Sequence, residues 1–322
     1  MASTDHPVYT RDYAVFTPAV HTFFEQVKDW IDERITGGYV YGVSRVGKTR
    51  AIRYWLANLL DEAYQGGLVT VIWTHRKTSR SSQLALLRIL HQSLRLRPPA
   101  PRSTTDYEWR IANFLAIRAK KARLQHVVLV VDEAQGLAEL EFSTLCNLQN
   151  LLDEAGVQMT LISVGTHDLT YKHEVSSMGQ GFHYASRFMR ASARFKGVAS
   201  IDELGFILDA YDSHTFWPKG SQTSFTNHFF PASFSKGFRL TQCTEQLWRI
   251  YIEDAPKALR NELEVPMENV ARAVDFLFRK LSPDFQSSTI GRLQLREAVA
   301  ATHYAATMQT IARSGLHWRG QS

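Results

Sequence analysis

The stretch Gly42-Val43-Ser44-Arg45-Val46-Gly47-Lys48-Thr49 decides the fold of this chain. It has the spacing G-x-x-x-x-G-K-[ST], in which the glycines let the backbone turn so that its N–H groups face phosphate oxygens. The apolar run 39–43 before it predicts a strand, and apolar residues at three- and four-residue spacing in 49–62 predict a helix after it. The positive end of such a helix favours an anion. The sequence therefore predicts a phosphate-binding loop.

This loop supplies most of the predicted nucleotide contacts. Lys48 is expected to reach the β- and γ-phosphates, and the Thr49 hydroxyl is expected to bind Mg²⁺. The remaining predicted nucleotide-binding residues of the loop are Gly42, Ser44, Arg45, Val46, Gly47 and Arg50. ATP and Mg²⁺ are therefore the expected cofactors.

A second acidic element follows some 80 residues later. The run 126–131 is apolar throughout after His126, which predicts a buried strand, and it ends in Asp132 and Glu133. An acid at such a strand tip holds Mg²⁺ in phosphate-loop enzymes, and the next carboxylate can activate the attacking water. We expect Asp132 on the metal side and Glu133 as the catalytic base, so the loop and this strand together predict ATP hydrolysis.

A polar turn follows another predicted strand, 159–164. It reads Gly165-Thr166-His167-Asp168, and a side chain at this strand tip could hydrogen-bond the γ-phosphate or the attacking water. Thr166 is the first choice for this role and His167 the second. A plain loop with no catalytic part is the alternative.

The alternation of apolar runs and helical patterns predicts an α/β fold with a mostly parallel five-stranded sheet flanked by helices. We predict strands at 39–43, 68–73, 126–132 and 159–164, and a fifth around 195–201. After residue 201 the strand signals fade and helical patterns continue. We therefore predict a nucleotide-binding core over 1–200 and a helical lid with C-terminal helices over 201–322. The aromatic-rich stretch 216–238 predicts a loop packed on its own core or a partner-binding edge.

Composition excludes several classes of protein. The 322 residues are 44% hydrophobic and 21% charged, as in ordinary globular proteins. Two cysteines cannot build a disulfide framework or a metal cluster, so we expect reduced thiols. The longest strongly apolar run, 127–131, is far shorter than the roughly 20 residues that span a bilayer. We expect a soluble cytoplasmic protein with no membrane partner.

The positive charge is concentrated in one stretch. Residues 76–123 hold 12 Lys and Arg against two acids, a net +10, whereas the rest of the chain holds 25 basic and 29 acidic residues, a net −4. Lys and Arg that contact phosphates release condensed counterions, so a polyanion-binding surface is one interpretation. A set of solvated helix faces is the other.

With these motifs in place, the sequence resembles AAA+ ATPases. It carries Asp132-Glu133-Ala134-Gln135, the polar turn at Thr166, and Ser186-Arg187-Phe188, a sequence context in which that superfamily often places an arginine finger. More narrowly, its size, its short N-terminal approach and the run 132–137 followed by Gly165-Thr166 resemble the transposition regulators of the TnsC and TniB type. The resemblance spans residues 8 to about 255.

The resemblance implies catalytic and binding residues beyond the loop. Arg187 would be the finger that completes a neighbour's site. The alternative is that Arg187, Arg190 and Arg194 share one face of a helix as a solvated or nucleic-acid-facing basic stripe. Arg239, which follows Gly237-Phe238, would be the lid arginine that contacts the nucleotide. DNA contacts would come from Arg76, Lys77, Thr78 and Arg80, with Lys120 and Lys121 as weaker candidates.

The resemblance also implies partners. The protein would form a homo-oligomer, a ring or a helical filament, on double-stranded DNA through sequence-independent backbone contacts, and would link a target selector to a transposase. A replication-initiator or loader-type AAA+ ATPase and a secretion-linked ATPase of similar core are the alternatives. A helicase would need a second sheet-containing half, which the helical patterns of residues 201–322 do not predict.

Overall fold

The computed structural model describes residues 5–76, 82–97, 103–179, 181–281 and 285–314, and the chain divides into two compact units. The first, here called the sheet unit, comprises Phe23–Gly42 and Lys48–Phe195. The second, the helical unit, comprises Met1–Thr22, Val43–Gly47 and Lys196–Ser322.

The sheet unit is built on five parallel strands. They are β1 (Gly37–Tyr41), β2 (Leu68–Thr74), β3 (His126–Asp132), β4 (Gln158–Gly165) and β5 (Ala191–Arg194), in the spatial order β2-β3-β4-β1-β5. Every residue of β3 is buried, because parallel sheets are covered on both faces. The strand tips lie in register across the sheet: Thr74 pairs with Asp132, Asp132 with Val164, and Tyr41 with both Gly165 and Arg194.

Helices connect these strands. In chain order the elements from the N-terminus to β5 include α1 (Pro7–Thr10), α2 (Pro18–Asp32), α3 (Lys48–Arg50), α4 (Ala57–Tyr64), α5 (Gln83–Ser93), α6 (Thr104–Lys121), α7 (Glu139–Glu154), α8 (Asp168–Ser177) and α9 (Phe182–Phe188). A π-helical segment, Ala51–Leu56, joins α3 to α4, and a 3-10 turn, Ala134–Gly136, follows β3.

Local sequence explains why α6 forms where it does. Ser103 and Asp106 make a capping box, in which each side chain accepts the other residue's backbone N–H. Tyr107, Ile111 and Leu115 then recur at four-residue spacing and are buried. They belong to the same hydrophobic core as Val127, Leu129 and Val131, the alternate residues of β3.

The helical unit follows the sheet in the chain. Its helices after β5 include α10 (Ile201–Asp209), α11 (Phe225–Phe229), α12 (Pro231–Ser235), α13 (Thr244–Asp254), α14 (Met267–Leu281), α15 (Arg292–Ala300) and α16 (Tyr304–Arg313). Shorter turns occupy Ala210–His214, Leu240–Cys243 and Lys257–Glu262.

The aromatic-rich stretch 216–238 packs on the core of its own unit. Phe225, Phe229, Phe230 and Phe238 are all buried. The Phe229 ring stacks on that of Phe278 from α14, with centroids 4.7 Å apart. This agrees with the first of the two interpretations of the stretch.

The predicted fold class is confirmed, with one shift in position. The fifth strand is Ala191–Arg194 and ends one residue before the predicted range 195–201 begins. Its residues are only partly buried or exposed, because β5 is an edge strand, so it lacks the apolar run that marks the other strands. None of the helices in the described part of the chain has both the length and the apolar character to span a bilayer.

Candidate functional site

The phosphate-binding loop has the backbone that its glycines allow. Gly47 has a φ of 111° and Arg45 a φ of 71°, so the chain turns twice through the left-handed region. A Cβ atom at Gly42 would lie 2.4 Å from the Phe195 carbonyl oxygen, which excludes any other residue there. α3 then begins at Lys48, which places a helix start directly after the loop. The loop thus meets the structural context that its sequence predicts.

Lys48 is a buried cation at the start of α3. Its Nζ donates a hydrogen bond to the Gly42 carbonyl oxygen at 2.8 Å. Burial lowers the pKa of Lys48 to about 8, and the negative charges of Glu133 and Asp132 partly offset this shift. A desolvated amine beside two carboxylates is a strong partner for an incoming phosphate.

Asp132 and Glu133 stand at the tip of β3. The Asp132 carboxyl is buried, and the Thr49 side chain hydrogen-bonds to it. Burial raises the pKa of Asp132, although the Thr49 hydrogen bond opposes this shift. Glu133 is exposed and has a φ of 58°, a left-handed conformation that is unusual for a glutamate. The structure therefore brings Lys48, Thr49, Asp132 and Glu133 together at the edge of the sheet where the strands end.

The tip of β4 lies beside the tip of β3. The Thr166 hydroxyl donates to Asp168 Oδ2 at 3.0 Å, and the Thr166 N–H donates to Gln135 Oε1 at 3.3 Å. The His167 ring packs edge-on against Tyr41, and its Nε2 is buried without a hydrogen-bond partner among the described residues. Burial lowers the pKa of His167, and the charges of Arg194 and Lys48 lower it further. Thr166 and His167 thus both lie near this same edge, where the strands end.

Two residues at this edge had no predicted role in nucleotide binding. Arg194 reaches it because β5 pairs with β1, with Arg194 opposite Tyr41 in the register. Gln135 reaches it because the 3-10 turn folds back beside Glu133. The sequence signals for both are weak, since β5 is a short edge strand and glutamine has no fixed chemical role.

Arg187 lies on the exposed side of α9. Its Nη1 donates to Asn150 Oδ1 at 2.7 Å, so its guanidinium lies against α7 in its own chain. The expected helical stripe of three arginines is wrong, because α9 ends at Phe188 and Arg194 belongs to β5. Arg187 therefore remains a separate basic side chain on α9.

Two of the predicted nucleotide contacts have partners within the helical unit. The Arg239 Nη1 donates to the carbonyl oxygens of Phe234 and Phe238, at 3.0 and 2.6 Å, and its guanidinium lies 3.5 Å from the centre of the Phe234 ring. Arg45 lies 3.8 Å from a Glu268 carboxylate oxygen, with both side chains about half exposed. Both nucleotide contacts remain predictions.

A shallow surface depression lies within the helical unit. It has no sequence motif, because separate segments of the chain form it. Its lining comes from Thr17, Pro18, Ala19, Val46, Lys196, Gly197, Val198, Glu203, Ile207 and Met267.

The basic stretch divides between two edges of the sheet. Arg76 is exposed just after β2, at the edge where the strands end, while Lys77, Thr78 and Arg80 lie outside the described residues. Lys120 and Lys121 are exposed in the last turn of α6. Three residues later, the Leu124 N–H donates to the carbonyl of Gly67, which directly precedes β2. The two lysines therefore lie near the end of the sheet where the strands begin. A seven-residue strand is about 20 Å long. Arg76 and the two lysines are therefore not brought together.

Comparisons with known proteins identify the fold. Residues 33–171 match the family model described as the AAA domain. The chain has the AAA+ P-loop fold. The ORC2 protein of Aeropyrum pernix, in ADPNP–ADP complexes, is similar with a TM-score of 0.60 and 12% identity, over 92% of this chain and 72% of that one. The ORC1 protein of the same organism, in complex with DNA, has a TM-score of 0.51 and 14% identity, over 92% and 68%. No curated protein matches the sequence.

Proposed function

We propose that this protein is an Mg²⁺-dependent AAA+ ATPase that acts on double-stranded DNA. The observation that carries the proposal is the convergence of Lys48, Thr49, Asp132 and Glu133 at one edge of the parallel sheet. Ligands of open α/β sheets bind outside the carboxyl ends of the strands, which is where these side chains lie. The ADPNP and ADP bound to the similar ORC2 protein support a nucleotide at this fold.

The chain's own residues divide the work of hydrolysis. Lys48 would hold the β- and γ-phosphates, while Thr49 and Asp132 would hold Mg²⁺. When bound, Mg²⁺ would neutralise negative charge on the phosphates. Glu133 would accept a proton from the attacking water, since its exposed carboxylate follows the metal-side acid directly. Thr166 would orient the γ-phosphate from the neighbouring strand tip.

Replacing Glu133 by glutamine tests the proposal. We expect Glu133→Gln to slow phosphate release by roughly 10²–10⁴-fold, the usual contribution of a general base. Its affinity for a fluorescent ATP analogue should stay within about threefold of the original, because Lys48 and Thr49 are unchanged. Glu154→Gln, an exposed acid near the end of α7, is the matched control. Normal turnover in Glu133→Gln would contradict the base assignment.

We infer self-association from a set of exposed apolar side chains that precedes Arg187 in the chain. It comprises four large side chains of α8, α9 and the turn between them that are 51–90% exposed: Tyr171, Val175, Met178 and Phe182. Contiguous exposed apolar patches of this kind mark interaction sites. Arg187, five residues after Phe182 in α9, would then reach the phosphates of a neighbouring copy, as an arginine finger does.

We infer DNA contact from the net charge of +10 over residues 76–123 and from the exposed position of Arg76. The predicted contacts are Arg76, Lys77, Thr78, Arg80, Lys120 and Lys121. Cations at these positions would bind phosphates without reading sequence. The DNA bound to the structurally similar ORC1 protein supports this part of the proposal.

Within this function, we propose transposition regulation, in which the oligomer links a target selector to a transposase. The proposal rests on the resemblance of residues 8 to about 255 to the TnsC and TniB type. A replication initiator is the second candidate, and the similarity to the two ORC structures favours it.

Electron micrographs with long duplex DNA and a non-hydrolysable ATP analogue separate the two. Continuous filaments on DNA of arbitrary sequence would support the regulator. Isolated particles at preferred sequences would support the initiator.

A further inference from the structure

Gln135 joins the tips of two strands through one side-chain amide. Its Nε2 donates to Glu133 Oε2 at 2.7 Å, and its Oε1 accepts the Thr166 N–H at 3.3 Å. A carboxylate can only accept and a backbone N–H can only donate, so these two partners fix which way the amide points. The residue proposed as the base and the residue proposed to orient the γ-phosphate are therefore connected through a single side chain.

The surroundings of Gln135 leave its amide little freedom. A Cβ atom at Gly165 would lie 2.2 Å from Gln135 Oε1, so only a glycine at the end of β4 makes room for this contact. Hydrogen bonds also fix the backbone of the turn that carries Gln135. Lys172 Nζ from α8 donates to the Gln135 carbonyl at 2.9 Å and to the Leu137 carbonyl. The site thus builds a fixed position for an amide beside Glu133.

Glu133 depends on this amide for its orientation. Its side chain is exposed and starts from a left-handed backbone, and among the described residues Gln135 is the one side chain that hydrogen-bonds its carboxylate. A general base must be aimed at the proton that it removes, and small misplacements are costly.

We propose that Gln135 is a positioning residue that aims the Glu133 carboxylate and ties its position to that of Thr166. This inference rests on the proposed ATPase function. A shift of Thr166 toward the γ-phosphate would move the Gln135 amide and with it the Glu133 carboxylate. Nucleotide binding would then orient Glu133 toward the attacking water. Gln135 itself contacts no reacting atom in this scheme.

The first test removes both hydrogen bonds at nearly constant size. In the full-length protein, Gln135→Leu should lower kcat for ATP hydrolysis roughly 10–100-fold, as loss of a partner that orients a catalytic ligand does. Its KM and its affinity for a fluorescent ATP analogue should change less than about threefold. Gln158→Leu is the matched control, because this glutamine lies at the opposite end of β4 and its side chain makes one hydrogen bond among the described residues, to Arg34 O. Equal effects of the two variants would overturn the proposal.

The second test asks whether Gln135 acts through Glu133. Gln135→Glu keeps an acceptor for the Thr166 N–H but puts a carboxylate oxygen in place of the Nε2 donor to Glu133. We expect kcat to fall at least as far as in Gln135→Leu, with KM changed less than about threefold. An unchanged kcat would mean a structural role only and would overturn the proposal.

A double variant separates this inference from the proposed function. Gln135→Leu added to Glu133→Gln should cause no further loss of turnover, because residues that act as one unit are non-additive. If Glu133→Gln abolishes turnover and Gln135→Leu leaves it unchanged, the positioning role is wrong and the ATPase assignment stands. Normal turnover in Glu133→Gln would overturn the base role of Glu133 and with it the positioning role of Gln135, whereas no turnover in the original protein would overturn the ATPase assignment.

Discussion

Lys48 combines burial with two nearby carboxylates, and this sets how the protein should respond to pH. Its pKa is about 8 in the absence of phosphate, and a bound polyphosphate would raise it by adding negative charge. The groups that face Lys48 include Asp132, Glu133 and His167. The pKa of His167 is lowered from its ordinary value, so it titrates below this range.

ATP affinity should therefore be constant below pH 8 and should fall above it. Binding to the deprotonated amine must first recover a proton, which weakens affinity by up to about tenfold per pH unit until the pKa of the complex is reached. Titrations with a fluorescent ATP analogue between pH 7 and 9.5 measure this slope. Lys48→Arg is the control, because a guanidinium stays charged over the whole range. A flat profile in the original protein would show that the Lys48 amine is not the titrating contact.

Two glycines predict opposite effects of the same substitution. Gly165→Ala puts a methyl group 2.2 Å from Gln135 Oε1 and 3.2 Å from the Gln135 backbone nitrogen, so the side-chain amide must move, and we expect a loss of up to about 1 kcal/mol in the free energy of unfolding. Gly205 lies inside α10, where an added Cβ would meet only Thr244 at 3.6 Å. Gly205→Ala should therefore stabilise by about 0.5–1 kcal/mol. Urea denaturation of both variants measures the difference, and equal signs would contradict the two local geometries.

At the scale of elements, the turn after β3 is fixed from several sides. Glu141 at the start of α7 accepts the Ala138 N–H at 2.8 Å and lies 3.3 Å from the buried His75 ring at the end of β2. Lys172 of α8 holds the same turn through its carbonyls. The tips of β2, β3 and β4 are thus joined by side chains that the helices supply.

In the helical unit, the Asp212 side chain fixes a turn in a similar way. Its buried carboxylate accepts the N–H groups of Leu240 and Thr241, at 2.9 and 3.1 Å. Asp212→Ala leaves both donors buried without their partner, which should cost about 1–3 kcal/mol in the free energy of unfolding. Asp209→Ala, a half-exposed neighbour, should cost less than about 0.5 kcal/mol. Urea titrations followed by circular dichroism compare the two, and equal losses would rule out the capping role.

At the scale of the whole molecule, the proposed arginine finger would require a second copy of the chain. Arg187 contacts Asn150 in its own chain, and the exposed apolar face formed by Tyr171, Val175, Met178 and Phe182 precedes it in sequence. A heterologous interface that repeats from copy to copy would place each Arg187 at a neighbour's phosphates.

Mixing inactive subunits tests this arrangement. Arg187→Ala and Lys48→Ala should each lack ATPase activity, whereas a one-to-one mixture should regain up to about a quarter of the original rate, since a quarter of random head-to-tail interfaces pair an intact loop with an intact arginine. Phosphate release in the mixture is the measurement. Mixing Lys48→Ala with Glu133→Gln is the control, because both changes affect the same predicted half of the site. No recovery would exclude an arginine that acts between subunits.

The split of the basic stretch gives a prediction about DNA. Arg76→Ala should weaken binding evenly across duplex sequences and reduce the slope of log affinity against log salt by about 0.9, the value for one lost phosphate contact. The pair Lys120→Ala and Lys121→Ala probes the opposite edge of the sheet and should change the slope less. Fluorescence anisotropy over a salt series measures both. A larger change for the lysine pair would place the DNA on the other edge.

The sequence by itself determined the fold class and four of the five strands, and it supplied the residues proposed for the nucleotide site. Those signals are local: a glycine pattern fixes a loop, an apolar run fixes a buried strand, and acids that follow it fix the strand tip. Arg194 and Gln135 needed the tertiary structure, because an edge strand carries little hydrophobic pattern and an amide has no role until its neighbours are known. Only the packed sheet showed that Arg76 and Lys120 face opposite edges. Charge counted along a chain says nothing about which end of a strand it reaches.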